Sequence, residues 1–286
     1  MDLGFSLIHL SDPHFGGMAD MSQIEALEAL IPDLEPRLIV IAGDVTQRAR
    51  HGEFQCARGF VRAMERTAPV YLVPGNHDVQ WWWRPFIPFG GSVKHSKYVE
   101  YFGSDLTPTL ESPEAVITGA LTAHGVAWGS LTPRLRDIAV KGHLPKNEIR
   151  RVKQVFDRAD EIKTRVLVLH HNVLRGDVSE RMGLARWKQA QRRIVESGAD
   201  LVLCGHDHDG RIDELDGVVV VCAGTLSTRS RAGKPPVFFR ISFDEQGIHA
   251  EEYRWNQPTQ MFRRADVYAF AKRRPARPVR VTSSAG

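Results

Sequence analysis

The stretch Leu201-Val202-Leu203-Cys204-Gly205-His206-Asp207-His208 sets fold and chemistry together. An apolar run of strand length stops at a glycine, and two imidazoles one residue apart follow it. A glycine turn can swing both rings toward one cavity, an arrangement that suits two neighbouring metal ions. Imidazole is the commonest metal-binding side chain, yet a histidine pair at a strand end also serves as an ordinary satisfied polar feature. What separates the two readings is the chemistry at three earlier strand ends.

Phe5-Ser6-Leu7-Ile8-His9-Leu10 is a strand candidate that delivers Ser11-Asp12-Pro13-His14. Its carboxylate and imidazole sit just past the carboxyl end of a strand, where open α/β sheets build their sites. Asp and Pro alone would equally suit a plain turn. His9, inside the strand, reads as a core or supporting residue rather than a ligand. Leu38-Ile39-Val40-Ile41-Ala42 is a continuous apolar run of the kind found in central parallel strands, and it ends at Gly43-Asp44. Val70-Tyr71-Leu72-Val73 opens into Pro74-Gly75-Asn76-His77-Asp78. Between these strands lie two helical patterns. One spans Ser22 to Ile31, with Ser22 and Glu25 as a capping box and Ile24, Leu27, Leu30 and Ile31 as its apolar stripe. The other spans Glu53 to Arg66, with Phe54, Ala57, Phe60, Val61 and Met64 as core.

These strand ends are followed by Val166-Leu167-Val168-Leu169-His170-His171 and then by Gly205-His206-Asp207-His208. Five such pieces in this order, each after a strand, resemble the calcineurin-like metallophosphoesterase superfamily over residues 5 to about 255. Six of the twelve histidines fall within them, more than a random scatter would place there. Gly43-Asp44-Val45-Thr46 followed by Gly52-Glu53-Phe54, together with Gly75-Asn76-His77-Asp78 and His170-His171, is most similar to the cyclic-nucleotide and glycerophosphodiester phosphodiesterase group.

The resemblance implies an α/β fold, a four-layer αββα sandwich of two mixed sheets flanked by helices. Strand-like runs at Val126 to Leu131, Val218 to Cys222, Val237 to Phe243 and Ile248 to Trp255 are compatible with it. So are helical stripes at Ile149, Val152, Phe156 and Ala159, and at Leu184, Trp187, Ile194 and Val195. By the family pattern, Asp12, His14 and His208 hold one divalent metal ion, Asn76, His170 and His206 a second, and Asp44 bridges them. His77 faces the substrate, Asp78 orients His77, and His171 is a supporting residue. Arg48 and Arg175 either meet phosphate or point to water. Oxygen and nitrogen donors suit manganese, iron or zinc better than a thiolate-loving ion. Two ions roughly 3.5 to 4 Å apart polarise a phosphoryl oxygen and lower the pKa of a shared water, giving a metal-bound hydroxide as nucleophile. Two divalent ions against two carboxylates and that hydroxide leave about +1 for an anionic phosphate.

The implied activity is that of a phosphoric ester hydrolase, a phosphodiesterase acting on a small diester such as a cyclic nucleotide or a glycerophosphodiester. Other readings on the same fold are a nuclease, a pyrophosphatase for a nucleotide-lipid conjugate, and a scaffold without turnover. A nuclease is expected to present a basic face. The formal charge of +4 comes from residues 272 to 286, which carry +5, so the other 271 residues sum to −1 and nucleic acid is not an expected partner. The nucleotide-lipid group tends to carry arginine where this chain has His77, and a scaffold is expected to have lost ligands, whereas all seven positions are filled. Many relatives follow the paired histidines with prolines, where Asn172-Val173 stand here.

The 286 residues, 42% hydrophobic, can bury a substantial core. No apolar run approaches the roughly 18 to 20 residues that span a bilayer, and the N-terminus lacks a signal sequence, so the expected location is cytoplasmic. Cys56, Cys204 and Cys222 are too few and too scattered for a disulfide framework or a zinc knuckle, and read as reduced, buried thiols. Residues 1–271 read as the metallophosphoesterase domain, with a Trp- and Pro-rich insertion at about 80–110. Within it, Trp81 to Phe89 is a candidate homo-oligomer or packing contact, a lid, or a membrane-surface contact. The basic residues 272–286 cannot bury apolar surface and are expected to be disordered.

Overall fold

The structure is a computed structural model that describes residues 4–80, 94–124, 141–176, 182–228, 230, 233–244 and 247–272. Its strands, in chain order, are β1 (Phe5–Leu10), β2 (Leu38–Ile41), β3 (Val70–Leu72), β4 (Thr109–Glu111), β5 (Ala115–Gly119), β6 (Thr164–Val168), β7 (Leu201–Cys204), β8 (Arg211–Leu215), β9 (Val218–Cys222), β10 (Val237–Phe243), β11 (Gly247–Asn256) and β12 (Met261–Ala271). The helices are α1 (Met21–Leu30), α2 (His51–Glu65), α3 (Ser96–Phe102), α4 (Lys146–Arg158) and α5 (Trp187–Glu196). One sheet runs β12-β11-β10-β1-β2-β3 and the other β4-β5-β6-β7-β9-β8. In the first sheet β1, β2 and β3 are parallel while β10, β11 and β12 are antiparallel. In the second sheet β5, β6, β7 and β9 are parallel.

Strand periodicity explains the layering, because successive side chains point to opposite faces. On one side of the first sheet Ile8, Leu10, Ile39 and Ile41 meet Ile24 and Leu27 of α1 and Phe54, Phe60 and Met64 of α2. On the other side Leu7, Leu38 and Val40 meet Val166, Val168, Leu201 and Leu203 of the second sheet. The outer face of that sheet carries Leu167, Val202 and Val220, covered by Val152 and Phe156 of α4 and Ile194 of α5. Helix, sheet, sheet and helix are the expected four layers.

Several local expectations need correction. The cap of α1 is Asp20, whose carboxylate accepts from Ser22 N at 3.1 Å and Gln23 N at 3.4 Å; the Ser22–Glu25 box does not form because the helix already begins at Met21. Cys204 and Cys222 are buried as expected, but Cys56 lies on the solvent side of α2 and is exposed. Trp187 lies outside the core stripe. It opens α5 at the surface with the Lys188 ammonium 5.3 Å from its ring centroid, and the buried face of the helix is Ala190 and Ile194. Part of the segment at 80–110 is helical: α3 packs on α2, with Tyr101 stacked on Phe54 at 5.4 Å. The expected strand at 126–131, the Trp81–Phe89 run and tail residues 273–286 lie outside the described residues. Among the described residues no helix is long and apolar enough to cross a membrane.

Candidate metal centre

Each contributing loop leaves the carboxyl end of a parallel strand and turns sharply. Asp12, His14, Asp44, His206 and His208 all adopt positive φ, between 49° and 75°. Such backbone is strained for residues with a side chain and collects where surrounding structure enforces an arrangement for use. Two glycines permit the approach. A Cβ on Gly75 would sit 2.1 Å from Asp44 Oδ1, and one on Gly205 would sit 1.8 Å from Ser11 Oγ and 2.6 Å from Asp12 Oδ2.

The donor atoms then fall into two groups. In the first, His14 Nε2 lies 3.0 Å from His208 Nε2, and Asp12 Oδ1 lies 3.5 Å from His14 Nε2 and 3.3 Å from His208 Nε2. In the second, His170 Nε2 lies 3.1 Å from Asn76 Oδ1 and 3.2 Å from His206 Nδ1. Asp44 Oδ2 stands between the groups, 3.3 Å from His170 Nε2 and 3.9 Å from His14 Nε2. His170 Nδ1 is 2.7 Å from the Ala42 carbonyl, to which it donates, so Nε2 presents its lone pair inward.

Lone pairs that face one another at this range repel unless a cation lies among them. Donors held about 2.1 Å from one ion are separated by about 3.0 to 3.5 Å, the spacing found in both groups. Asp12 Oδ1 is buried without a hydrogen-bond partner, as a ligand oxygen would be. The residues therefore fit divalent metal ions, and the oxygen and imidazole donor set is of intermediate hardness.

The electrostatics of the metal-free protein agree. Burial alone would raise both carboxylates, yet His208 and His14 around Asp12, and His170 and His77 around Asp44, hold them well below the usual range. Burial alone would lower His170, but the Asp44 carboxylate overrides it and pushes the imidazole up to about 10. Burial and the His170 charge push His206 down to about 3. Without metal, a proton on His170 supplies the positive charge that two buried carboxylates require.

The supporting residues depart from expectation in one respect. Asp78 does not orient the His77 ring. Its carboxylate accepts from Gly75 N at 2.9 Å, Val45 N at 3.3 Å, and the backbone N and Oγ1 of Thr46 at 2.8 and 2.9 Å, tying the loop after β2 to the loop after β3. Three backbone N–H groups and one hydroxyl saturate it, so it has no geometry left for an imidazole. Burial and the nearby Asp44 push it up to about 7 despite these bonds. The His77 ring is held instead by the Gln47 carbonyl, 2.7 Å from Nδ1, and its backbone N–H donates to Asp44 Oδ1 at 2.7 Å. His77 is half-buried, with its ring edge-on to His14 at 4.9 Å. His171 Nδ1 pairs with Thr122 Oγ1 at 2.8 Å, and its ring packs on His206 at 4.5 Å. Arg48 is exposed, its backbone N–H bound by Glu53.

Gln47, Thr122 and Thr225 contact residues of the candidate site, and no sequence pattern singled them out. Thr225 Oγ1 donates to the Asp12 carbonyl at 2.7 Å from the loop after β9. Only the parallel pairing of β9 with β7 reveals that this loop reaches the same end of the molecule.

The family model of the calcineurin-like phosphoesterases matches residues 5–210 of the chain. The chain belongs to this family. Among curated relatives of this phosphoesterase is the glycerophosphodiester phosphodiesterase GpdQ of Enterobacter lignolyticus, 30% identical over 143 residues, 43% of this chain and 49% of that one. The chain thus spans about half the length of that relative. Among solved structures, a dimetal phosphatase from Danio rerio superposes with a TM-score of 0.67 at 12% identity, covering 94% of this chain and 99% of that one. The purple acid phosphatase PPD1 from yellow lupin superposes with a TM-score of 0.67 at 11% identity, covering 93% and 53%. These superpositions show the four-layer fold of the phosphoesterase.

Proposed function

We propose that this calcineurin-like phosphoesterase is a dimetal phosphodiesterase that hydrolyses a small diester. The observation that carries the reading is the position of Asp44, one carboxylate oxygen of which faces both donor groups, His14 on one side and His170 on the other. Asp12, His14 and His208 would hold one ion, Asn76, His170 and His206 the second, with Asp44 shared; manganese, iron and zinc all suit these donors. The ions, when bound, supply a Lewis acid for the phosphoryl oxygens and acidify coordinated water.

The chain's own residues do the rest. The Gln47 carbonyl fixes the His77 tautomer with hydrogen on Nδ1, so His77 Nε2 is the atom that meets the phosphoryl group or the leaving oxygen. Asp78 keeps Asn76 and Asp44 in register by binding both their loops. Thr225 and Ser11 lock Asp12, whose Oδ2 accepts from Ser11 Oγ at 2.5 Å and from His206 N at 2.9 Å, leaving Oδ1 for metal. The diester preference is supported by the Gly75-Asn76-His77-Asp78 and His170-His171 patterns and by the similarity to a glycerophosphodiester phosphodiesterase.

The test is metal content by elemental analysis together with release of p-nitrophenol from bis- and mono-p-nitrophenyl phosphate, with and without chelator. We expect near two ions per chain, faster turnover of the diester and abolition by chelator. Asp44→Ala should lose at least about 10³-fold in turnover, beyond the 10- to 100-fold typical of a residue outside the ligand set. Monoester preference would overturn the diester reading, and an unaltered Asp44→Ala enzyme would overturn the metal assignment.

A further inference from the structure

Two of the three cysteines lie together, directly behind the candidate metal centre. Cys204 and Cys222 are the last cross-strand partners of the parallel ladder between β7 and β9. Neighbouring strands lie about 4.8 Å apart, inside the Cα separation that a disulfide accepts. Both side chains point to the helix-covered face with Val202 and Val220, both are buried, and the neighbouring Cys204 thiol and burial push the Cys222 thiol up. A small pocket reaches them, lined also by Asn172, Leu174, Asp207 and Arg211.

The pair is wired to the ligands. The Cys222 thiol is 3.3 Å from the carbonyl of Gly205, the peptide that leads into His206. Gly205 N donates to the His170 carbonyl at 2.8 Å, and Ala223 N to the Cys204 carbonyl at 2.9 Å. A change at these sulfurs therefore bears on the backbone carrying His170, His206 and His208.

We propose that Cys204 and Cys222 form an oxidisable thiol pair whose disulfide, made by a hydroperoxide, loosens metal binding. One sulfur attacks the peroxide oxygen, forming a sulfenic acid and releasing water; the second thiol displaces hydroxide from that sulfur, which leaves as a second water once it takes up the thiol's proton. Two thiols lose two electrons, and hydrogen peroxide takes them up as two waters. A dithiol reductant reverses the change. Closing the sulfurs to about 2.05 Å draws the ends of β7 and β9 together and removes the S–H donor from Gly205. The metal readout rests on the dimetal reading above; the thiol chemistry does not.

The test uses the full chain loaded with manganese or zinc, in a Cys56→Ser background because Cys56 is exposed. After millimolar peroxide we expect a linked peptide pair containing residues 204 and 222, a mass loss of about 2 Da restored by dithiothreitol, and about tenfold weaker metal retention on dialysis. Cys222→Ala, treated identically, should keep its metal, which excludes oxidation of the histidines as the cause. Absence of the linked peptide after treatment that oxidises Cys56 in the parent protein would overturn the pair. A bridge that leaves metal retention unchanged would overturn the coupling. An untreated protein that binds no metal would instead count against the dimetal reading, with the linked peptide still deciding the pair.

Discussion

The slab between the two sheets and the crown of loops at its end are built to opposite rules. In the slab Leu7, Val40, Val168 and Leu203 are fully buried in regular strands, where alternate residues satisfy packing and backbone hydrogen bonding together. In the crown the buried residues are carboxylates and imidazoles, and five of the ten non-glycine residues with positive φ among the described residues are candidate ligands. Each such conformation costs about 1 to 3 kcal/mol and persists only where its surroundings over-determine it. The slab supplies those surroundings: stability resides in one region, and the geometry that a cation requires in the other.

The joint between the regions should be most sensitive. In Gly205→Ala the new Cβ would stand 1.8 Å from Ser11 Oγ and 2.6 Å from Asp12 Oδ2, atoms with nowhere to retreat because Ser11 is also bound to the Ala42 carbonyl at 3.1 Å. Overpacking of this kind costs about 1 to 3 kcal/mol, and displacing Asp12 removes a candidate ligand. We expect loss of metal, at least about 10²-fold lower turnover, and a Tm lower by several degrees with an unchanged far-UV circular dichroism spectrum. Retention of metal would mean that the crown yields more readily than its strain implies.

A milder probe asks whether the crown holds a proton where it would hold a metal. His170 is pushed up to about 10 and His206 down to about 3, so metal-free protein at pH 7 should carry one charged and one neutral imidazole facing each other. Because the folded pKa of His170 lies above the unfolded value of about 6.5, its stabilising contribution is complete below pH 6.5 and disappears as pH rises through 10. Metal must displace that proton, so metal affinity should rise with pH across the same window by up to about tenfold per unit. Imidazole NMR of the chelated protein checks this, and a neutral His170 at pH 7 would contradict it.

The same contrast explains what could be read from the chain. Apolar runs such as Leu38 to Ile41 and Leu201 to Cys204 are visible because central parallel strands bury both faces. The strand-end residues are visible because Asp12, Asp44 and His206 follow those runs directly. β8 and β12 were not legible, since edge strands bury one face at most and carry charges such as Arg211, Arg263 and Arg264 that resemble loop composition. The roles of Gln47 and Asp78 were hidden for another reason. A backbone carbonyl that fixes an imidazole leaves no mark on residue type, and sequence adjacency pointed to the wrong partner for His77.

One residue breaks the rule for the slab. His9 sits in β1 between Val40 and Phe239 of the neighbouring strands, fully buried, with neither ring nitrogen hydrogen-bonded. Burial pushes it down to about 3, so the ring is neutral and still carries an unmet donor and acceptor. Leaving such groups unpaired costs about 1 to 3 kcal/mol, whereas an apolar ring of similar shape has none to satisfy. His9→Phe should therefore raise Tm by about 2 to 4 °C while turnover stays within about twofold. The sign with pH is fixed: because the folded pKa is depressed, the native chain loses stability as pH falls below about 6.5 toward 3, by up to about 1.4 kcal/mol per unit. The variant has no such proton to take up, so its advantage should widen on acidification, which thermal melts of both proteins at pH 7 and pH 5 would measure. A lower Tm for His9→Phe would mean that the ring nitrogens are satisfied by enclosed water, and the slab would then be wet at the point nearest the crown.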